Sequence, residues 1–366
     1  MFAMRASQAD KKRLVIYADE DRLGSDGMRI EPKFKPAVSP VLFANPGNDE
    51  YCFLVKASRD DLSDLLLPQR SVPTLFREAI SGGYDAIHIP FVLSHRLQST
   101  IPTSTRPASE SADHVRTLPH VSIIIPTRDK IELLSVCLQS MRSITDYPAD
   151  LVEVIVVDNG STHPSALSYL EEHAKRGDIK WIRQSGPFNF SRLNNTAVLN
   201  SRGEVLLFLN NDTEFVEPGW LRNLVEFAMR PDIGIVGAKL LYPDRTVQHA
   251  GVVLGVQGIA AHSFAGAPCD DPGFQGLNLL SREVSAVTGA CLAVRKDVFE
   301  EIGGFDTTLA IAFNDVALCL QSRRHGYANI WVHDAVLIHH ESKSRGLDFA
   351  FERRVRLIDE ARLVRG

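Results

Sequence analysis

The 366-residue sequence contains neither G-x-G-x-x-G nor G-x-x-x-x-G-K-[ST], which removes the two glycine loops that cradle nucleotide phosphates through backbone N–H groups. Cysteine is scarce. Cys52, Cys137, Cys269, Cys291 and Cys319 are scattered, and no CxxC pair offers zinc-ligand spacing. Five unpaired positions of this kind read as reduced, mostly buried thiols of a cytoplasmic protein. Long apolar runs are missing as well. The longest are strand-length, far short of the ~20 residues of a membrane span, and the first 13 residues hold no signal-peptide core. Basic charge is not in excess: 40 Lys+Arg stand against 45 Asp+Glu, a net −5, so no nucleic-acid surface is expected.

What is present is a globular composition, 44% hydrophobic and 23% charged, that excludes disorder and fibrous repeats. Residues 99–118 carry Pro102 and Pro107 among Ser, Thr and Ala and read as a linker. After it, apolar strands alternate with amphipathic helices. Strands are expected at 121–125, 152–157, 179–182, 205–209 and 233–238. Helices are expected at 130–141, 165–175, 191–200 (capped by Ser191), and 220–229. This order predicts an α/β domain over 119–346 with a mostly parallel central sheet flanked by helices. Further on, 248–256 and 284–294 read as strands, 297–302 and 316–325 as helices ended by Gly303-Gly304 and Gly326, and 330–332 and 336–338 as two short strands. Residues 347–366 read as a helical tail. Its basic, partly amphipathic stretch 351–365 is a solvated helix or a peripheral contact at the inner face of the membrane.

Three buried strands end in polar residues: Pro126-Thr127-Arg128-Asp129 after Ile125, Asp158-Asn159-Gly160-Ser161 after Val157, and Asn210-Asn211-Asp212-Thr213 after Leu209. One such edge is explained by turn formation alone. Three at the carboxyl ends of one sheet point to a ligand crevice. Asp212 is a hard oxygen ligand of the type Mg2+ or Mn2+ prefers. Arg192, at a helix start, reaches a pyrophosphate, and Asp158 accepts from a base or a ribose.

Read together, Val121-Ser-Ile-Ile-Ile-Pro-Thr-Arg-Asp129, Val156-Val-Asp-Asn-Gly-Ser161, Phe188-Asn-Phe-Ser-Arg-Leu-Asn-Asn195 and Leu209-Asn-Asn-Asp-Thr-Glu214 resemble the inverting glycosyltransferases of family 2, which have the Rossmann-like GT-A fold. Thr288-Gly-Ala-Cys-Leu-Ala-Val-Arg295, Gly303-Gly-Phe-Asp306, Phe313-Asn-Asp-Val-Ala-Leu-Cys-Leu320 and Ile338-His-His-Glu-Ser-Lys-Ser-Arg-Gly346 continue the likeness. Each motif is weak; the ordered set is specific, and it is most similar to the bacterial branch that builds O-antigen and rhamnose-containing surface polysaccharides. The resemblance implies a nucleotide-sugar donor (UDP- or dTDP-sugar), a glycan or lipid-linked glycan acceptor, and Mg2+ or Mn2+. Pro126, Thr127, Arg128, Asp158 and Asn211 would line the nucleotide pocket, with Arg192 and Asn195 near the ribose or pyrophosphate. Asp212 and His339 would hold the metal, with His340 the competitor of His339, and Asp315 would be the general base. His249, His262 and Asp306 face the acceptor or the phosphates, or make only loop hydrogen bonds.

One departure motivates a competing reading. The branch has Asp-Val-Asp-Leu at the base, whereas this chain has Asp315-Val316-Ala317-Leu318. A catalytically weak glycan- or nucleotide-binding partner of another transferase is therefore the alternative. A nucleotidyltransferase is a third, but its glycine-rich basic loop is missing from 126–130. Within residues 1–98, Ile16-Tyr-Ala-Asp-Glu-Asp21, Pro32-Lys-Phe-Lys-Pro36 and Ile87-His-Ile-Pro-Phe-Val-Leu-Ser-His95 resemble the later half of a tandem transferase unit. Such a small α/β remnant would bury little core alone and is expected to dock on the second domain or on a partner chain.

Overall fold

A computed structural model describes residues 13–24, 28–33, 35, 39–44, 53–58, 72–97, 117–255 and 260–340. Cys52, most of the expected linker, Pro32-Lys-Phe-Lys-Pro36 in part, and the expected C-terminal tail lie outside them. The chain divides into two units, 1–112 and 113–366.

In the first unit, β1 (Leu14–Leu23) is the central strand. Antiparallel β3 (Phe53–Lys56) and β2 (Arg29–Lys33) pair with its two halves, and β4 (Asp85–Leu97) runs parallel to it. Period-two alternation sends Val15 and Tyr17 into a cluster with Phe43 and Phe76, and Leu14, Ile16 and Ala18 into another with Ile89. Helices α1 (Pro40–Ala44) and α2 (Val72–Ser81) supply Phe43 and Phe76. Each carboxylate of the acidic triplet of β1 has a partner within the unit. Asp19 accepts from the Lys35 N–H at 2.8 Å and lies 2.8 Å from His88; Glu20 pairs with Lys35 Nζ at 3.1 Å, and Asp21 with Arg29. These carboxylates serve as an internal ion-pair network.

In the second unit, β5 (Val121–Thr127), β6 (Val152–Asp158), β7 (Lys180–Arg183) and β8 (Val205–Leu209) form the expected parallel half, in the order β8-β5-β6-β7. The runs of Val, Ile and Leu in the central strands β5 and β8 are buried on both faces, as parallel strands under helices must be. Helices α3 (Ile131–Ile144), α4 (Pro164–Lys175), α5 (Phe190–Val198) and α6 (Trp220–Ala228) follow these strands. Beyond β8 the sheet is mixed. Antiparallel β15 (Cys291–Arg295) lies between β8 and β10 (Ile233–Leu241), and β16 (Ala328–His339) is parallel to β10. Short β9 (Thr213–Phe215) pairs with β16, β11 (Val247–His249) with β10, β12 (Val252–Leu254) with β13 (Ala260–His262), and β14 (Arg282–Glu283) with β16. Helices α7 (Lys296–Glu301) and α8 (Asn314–Arg324) complete the unit.

Four local expectations are corrected. Helix α5 is capped by Asn189, whose side chain accepts from the Arg192 N–H at 2.8 Å, while Ser191 is buried and donates to the Leu309 carbonyl. The apolar run 248–256 breaks into β11 and β12 at Gly251, which has φ 89. In 284–294 only the last residues are part of strand β15; Ala286–Ala290 is irregular and mostly buried for tertiary reasons given below. The expected pair of short strands at 330–338 is one strand, β16, with a register shift against β10 in its middle. Gly237 shows how closely the irregular segment packs: a Cβ there would lie 2.4 Å from Val287 Cβ.

Candidate active site

The carboxyl ends of β5, β6 and β8 do meet. Thr127 is in register with Asp158, the Asn159 N–H donates to the Thr127 carbonyl, and Asn211 Nδ2 donates to Thr127 Oγ1 at 2.9 Å. Asp129 closes the loop after β5 by accepting from the N–H groups of Thr162 and His163. The bond from His163, with that from Thr162, holds its carboxyl below the ordinary range despite partial desolvation. Asp158 is fully buried. Its Oδ1 accepts from the Ser161 N–H at 2.7 Å; its Oδ2 accepts no hydrogen bond from the described residues and lies 3.9 Å from Arg183 Nε. A buried carboxylate oxygen without a donor is costly, so this acceptor suits a ligand N–H or O–H.

The Asn210-Asn211-Asp212 turn sends its middle side chain one way and the outer two another. Asn211 goes to Thr127, while Asn210 Nδ2 and Asp212 Oδ1 lie 3.3 Å and 3.1 Å from Nε2 of His339, at the end of β16. The β9–β16 pairing sets this contact: His339 is opposite Thr213, and the His340 N–H donates to the Asp212 carbonyl. His340 instead turns its ring to Glu214, at 2.9 Å, which leaves His339 as the histidine beside Asp212. Among the described residues no group of three His, Cys, Asp or Glu side chains could hold a metal by itself. One carboxylate and one imidazole fit Mg2+ or Mn2+ that takes its remaining oxygens from a diphosphate, the usual way these ions are bound at phosphoryl sites.

Asp315 sits in the first turn of α8, two residues after the N-cap Phe313, whose φ of 57 is rare for a bulky residue. Its Oδ2 accepts from the Gly289 N–H and its Oδ1 from the Val316 N–H, both at 2.8 Å. The irregular segment before β15 connects the parts of the site. The Thr288 N–H donates to His249 Nε2 at 3.4 Å, Gly289 holds Asp315, and the Ala290 carbonyl accepts from the Asn210 N–H at 3.0 Å. The sequence of Thr288-Gly-Ala predicts strand here. Its lack of pairing partners in the ladder is what frees these groups for the site.

Other expected site residues have been drawn into structure. Asn195 spends both ends of its amide on the Phe305 backbone, at 2.8 Å and 3.1 Å, and braces α5 against the segment leading to α8. Exposed Asp306 accepts from Thr308 N–H and Oγ1 in its own turn. Arg192 is exposed at the α5 start with its guanidinium on the Pro187 carbonyl, and Arg128 is exposed 4.0 Å from Asp129; Pro126 is buried within β5. Among the described residues neither arginine is held by a carboxylate at short range, so both are available to an anion.

His249 and His262 are a pair, Nδ1 to Nδ1 at 2.7 Å. Because His249 Nε2 accepts from Thr288, its Nδ1 carries the proton and donates to His262. Burial drives the His249 pKa well below 6.5, and the neighbouring His262, Arg282 and His339 add to this. The folded state keeps the ring neutral while the unfolded chain protonates near 6.5, so the unfolded state binds the extra proton as pH falls. Stability from this residue is complete above about 6.5 and declines below it, by up to about 1.4 kcal/mol per pH unit. Urea unfolding across pH 5–8 should show a shallower acid loss in His249→Gln than in the wild type; parallel curves would contradict this.

Residues 122–303 match the family model described as glycosyl transferase family 2. This domain belongs to that family. The chain is 34% identical over 389 residues to the O-antigen biosynthesis protein RfbC of Myxococcus xanthus, covering 93% of this chain and 29% of the relative. It is 43% identical over 242 residues to a Sinorhizobium fredii protein, y4gI, covering 65% of this chain and 26% of that one. The chain thus spans between a quarter and a third of the length of these relatives. A mannosyltransferase from Pyrobaculum calidifontis, solved with GDP-Man and Mn2+, superposes with a TM-score of 0.50 at 21% identity, over 71% of this chain and 68% of its own. That likeness shows the GT-A fold. No helix among the described residues is long and apolar enough to cross a membrane.

Proposed function

We propose that the second unit transfers a sugar, with inversion, from a nucleotide diphosphate sugar to a glycan or lipid-linked glycan acceptor during synthesis of a bacterial surface polysaccharide. The observation that carries the reading is the convergence of Thr127, Asn211, Asp212 and His339 at adjoining strand ends, joined to Asp315 through Thr288–Ala290. UDP- and dTDP-sugars are the donors first expected, and the similarity to RfbC supports the polysaccharide setting. Peripheral placement at the inner membrane face and a docking role for the first unit, as half of a tandem transferase, belong to the same proposal.

Asp212 and His339 would hold a divalent cation, which neutralises charge growing on the departing diphosphate. Arg192 and the amino end of α5 favour the same anion. Asp158 and Thr127 orient the nucleoside. Asp315 takes the acceptor hydroxyl proton as that oxygen attacks the anomeric carbon from the face opposite the leaving group. A single carboxylate suffices, since the leaving diphosphate needs no protonation, unlike the leaving oxygen in a glycosidase. Two main-chain N–H groups fix the Asp315 carboxylate and leave it further lone pairs for this work.

The binding-partner alternative rests on Ala317. On α8, Ala317 is two positions beyond Asp315, about 200° around the helix, and residues so spaced do not face each other. Its lack of a carboxylate therefore leaves the support of Asp315 unchanged, which favours the enzyme. A screen of UDP-, dTDP- and GDP-sugars for Mn2+-dependent donor hydrolysis separates the two readings. Slow hydrolysis of one donor class is expected; binding without hydrolysis of any donor would favour the partner.

A further inference from the structure

Strand β11 brings a side chain to the site that no motif singles out. Gln248 is buried beside His339, between residues whose own side chains are also buried. Its Nε2 donates to the main-chain carbonyl of His339 at 3.4 Å, and its Oε1 lies 2.7 Å from Nδ1 of the same residue. Only this orientation of the amide works: the reverse would set Oε1 against the carbonyl oxygen. An Nδ1 that meets an amide oxygen donates to it, so Nε2 is the ring nitrogen left to face a cation. That nitrogen is the one 3.1 Å from Asp212 Oδ1.

We propose that Gln248 is a positioning residue that grips His339 through side chain and main chain, fixes its tautomer, and thereby sets the affinity of the Asp212–His339 pair for a divalent cation. The inference rests on reading that pair as the cation's ligands. The physical basis is general. A ligating histidine whose second nitrogen donates to an oxygen is held in orientation and made a stronger ligand, and loss of such a partner costs about 10- to 100-fold in metal affinity. An apolar residue would fill the same space in β11 without burying an amide, so packing alone does not account for glutamine here.

The test uses the full chain and Mn2+, titrated by electron paramagnetic resonance alone and with UDP, dTDP or GDP. Gln248→Met keeps the side-chain length but cannot accept from Nδ1; it should bind Mn2+ about 10- to 100-fold more weakly. Gln248→Glu restores an acceptor and should bind at least as tightly as the wild type. Equal Mn2+ affinity in a folded Gln248→Met variant and the wild type would overturn the role of Gln248 alone. Wild-type protein that binds no Mn2+ with any nucleotide would overturn the ligand reading and this inference with it. Should Gln248→Met fail to fold, loss of Mn2+ binding in folded Gln248→Glu overturns the proposal, and retained binding supports it.

Discussion

Replacing Asp315 by asparagine should lower sugar transfer by about 10²- to 10⁴-fold, the usual worth of a positioned general base, while donor affinity stays near that of the wild type. The substitution is nearly isosteric but not silent for structure. Each carboxylate oxygen accepts a main-chain N–H, from Gly289 and from Val316. An asparagine offers one oxygen, so one N–H would face an amide NH2 group, at a cost of about 1–3 kcal/mol. A lowered thermal midpoint is therefore expected alongside the loss of turnover. Steady-state transfer measured with thermal unfolding separates the two effects, because a structural cost alone leaves the turnover of the folded fraction intact. Unchanged turnover would refute the role of Asp315 as base.

Asp212→Asn should be as severe but different in kind. It removes the negative oxygen that faces His339 Nε2 and should abolish the Mn2+-dependent part of nucleotide binding. Transfer should fall by about 10²- to 10³-fold or more, the range found when one electrostatic stabiliser of a transition state is removed. The contrast between the variants carries the information: Asp315→Asn keeps metal-assisted binding, and Asp212→Asn loses it. Two variants that failed in the same step would argue against separate roles.

The parts of this site legible in sequence were those written in local chemistry. Buried runs such as Val205–Leu209 fix strands, and Gly303-Gly304 and Gly326, all at positive φ, end helices as expected. The polar endings of β5, β6 and β8 pointed to one crevice because a parallel sheet gathers its carboxyl ends on one edge. What sequence did not disclose depends on partners distant along the chain. An apolar run carries no strand direction, so the antiparallel course of β15 between β8 and β10 was hidden. Asn195 and Asp306 looked like ligand contacts, but Phe305 and Thr308 backbone groups take their hydrogen bonds. Thr288–Ala290 looked like strand because its small and apolar residues suit one; its work is to join His249, Asp315 and Asn210. Gln248 carries no local signal, because its partner lies 91 positions away, at His339.

The central claim is that the strand ends around Asp212 and His339 form a metal-assisted nucleotide site. Calorimetric titration of UDP and dTDP into the full chain, with and without Mn2+, tests it most directly. Binding that tightens with Mn2+ in the wild type and in Asp315→Asn, but not in Asp212→Asn, is the result expected. Nucleotide binding that is absent, or the same with and without Mn2+, would contradict it.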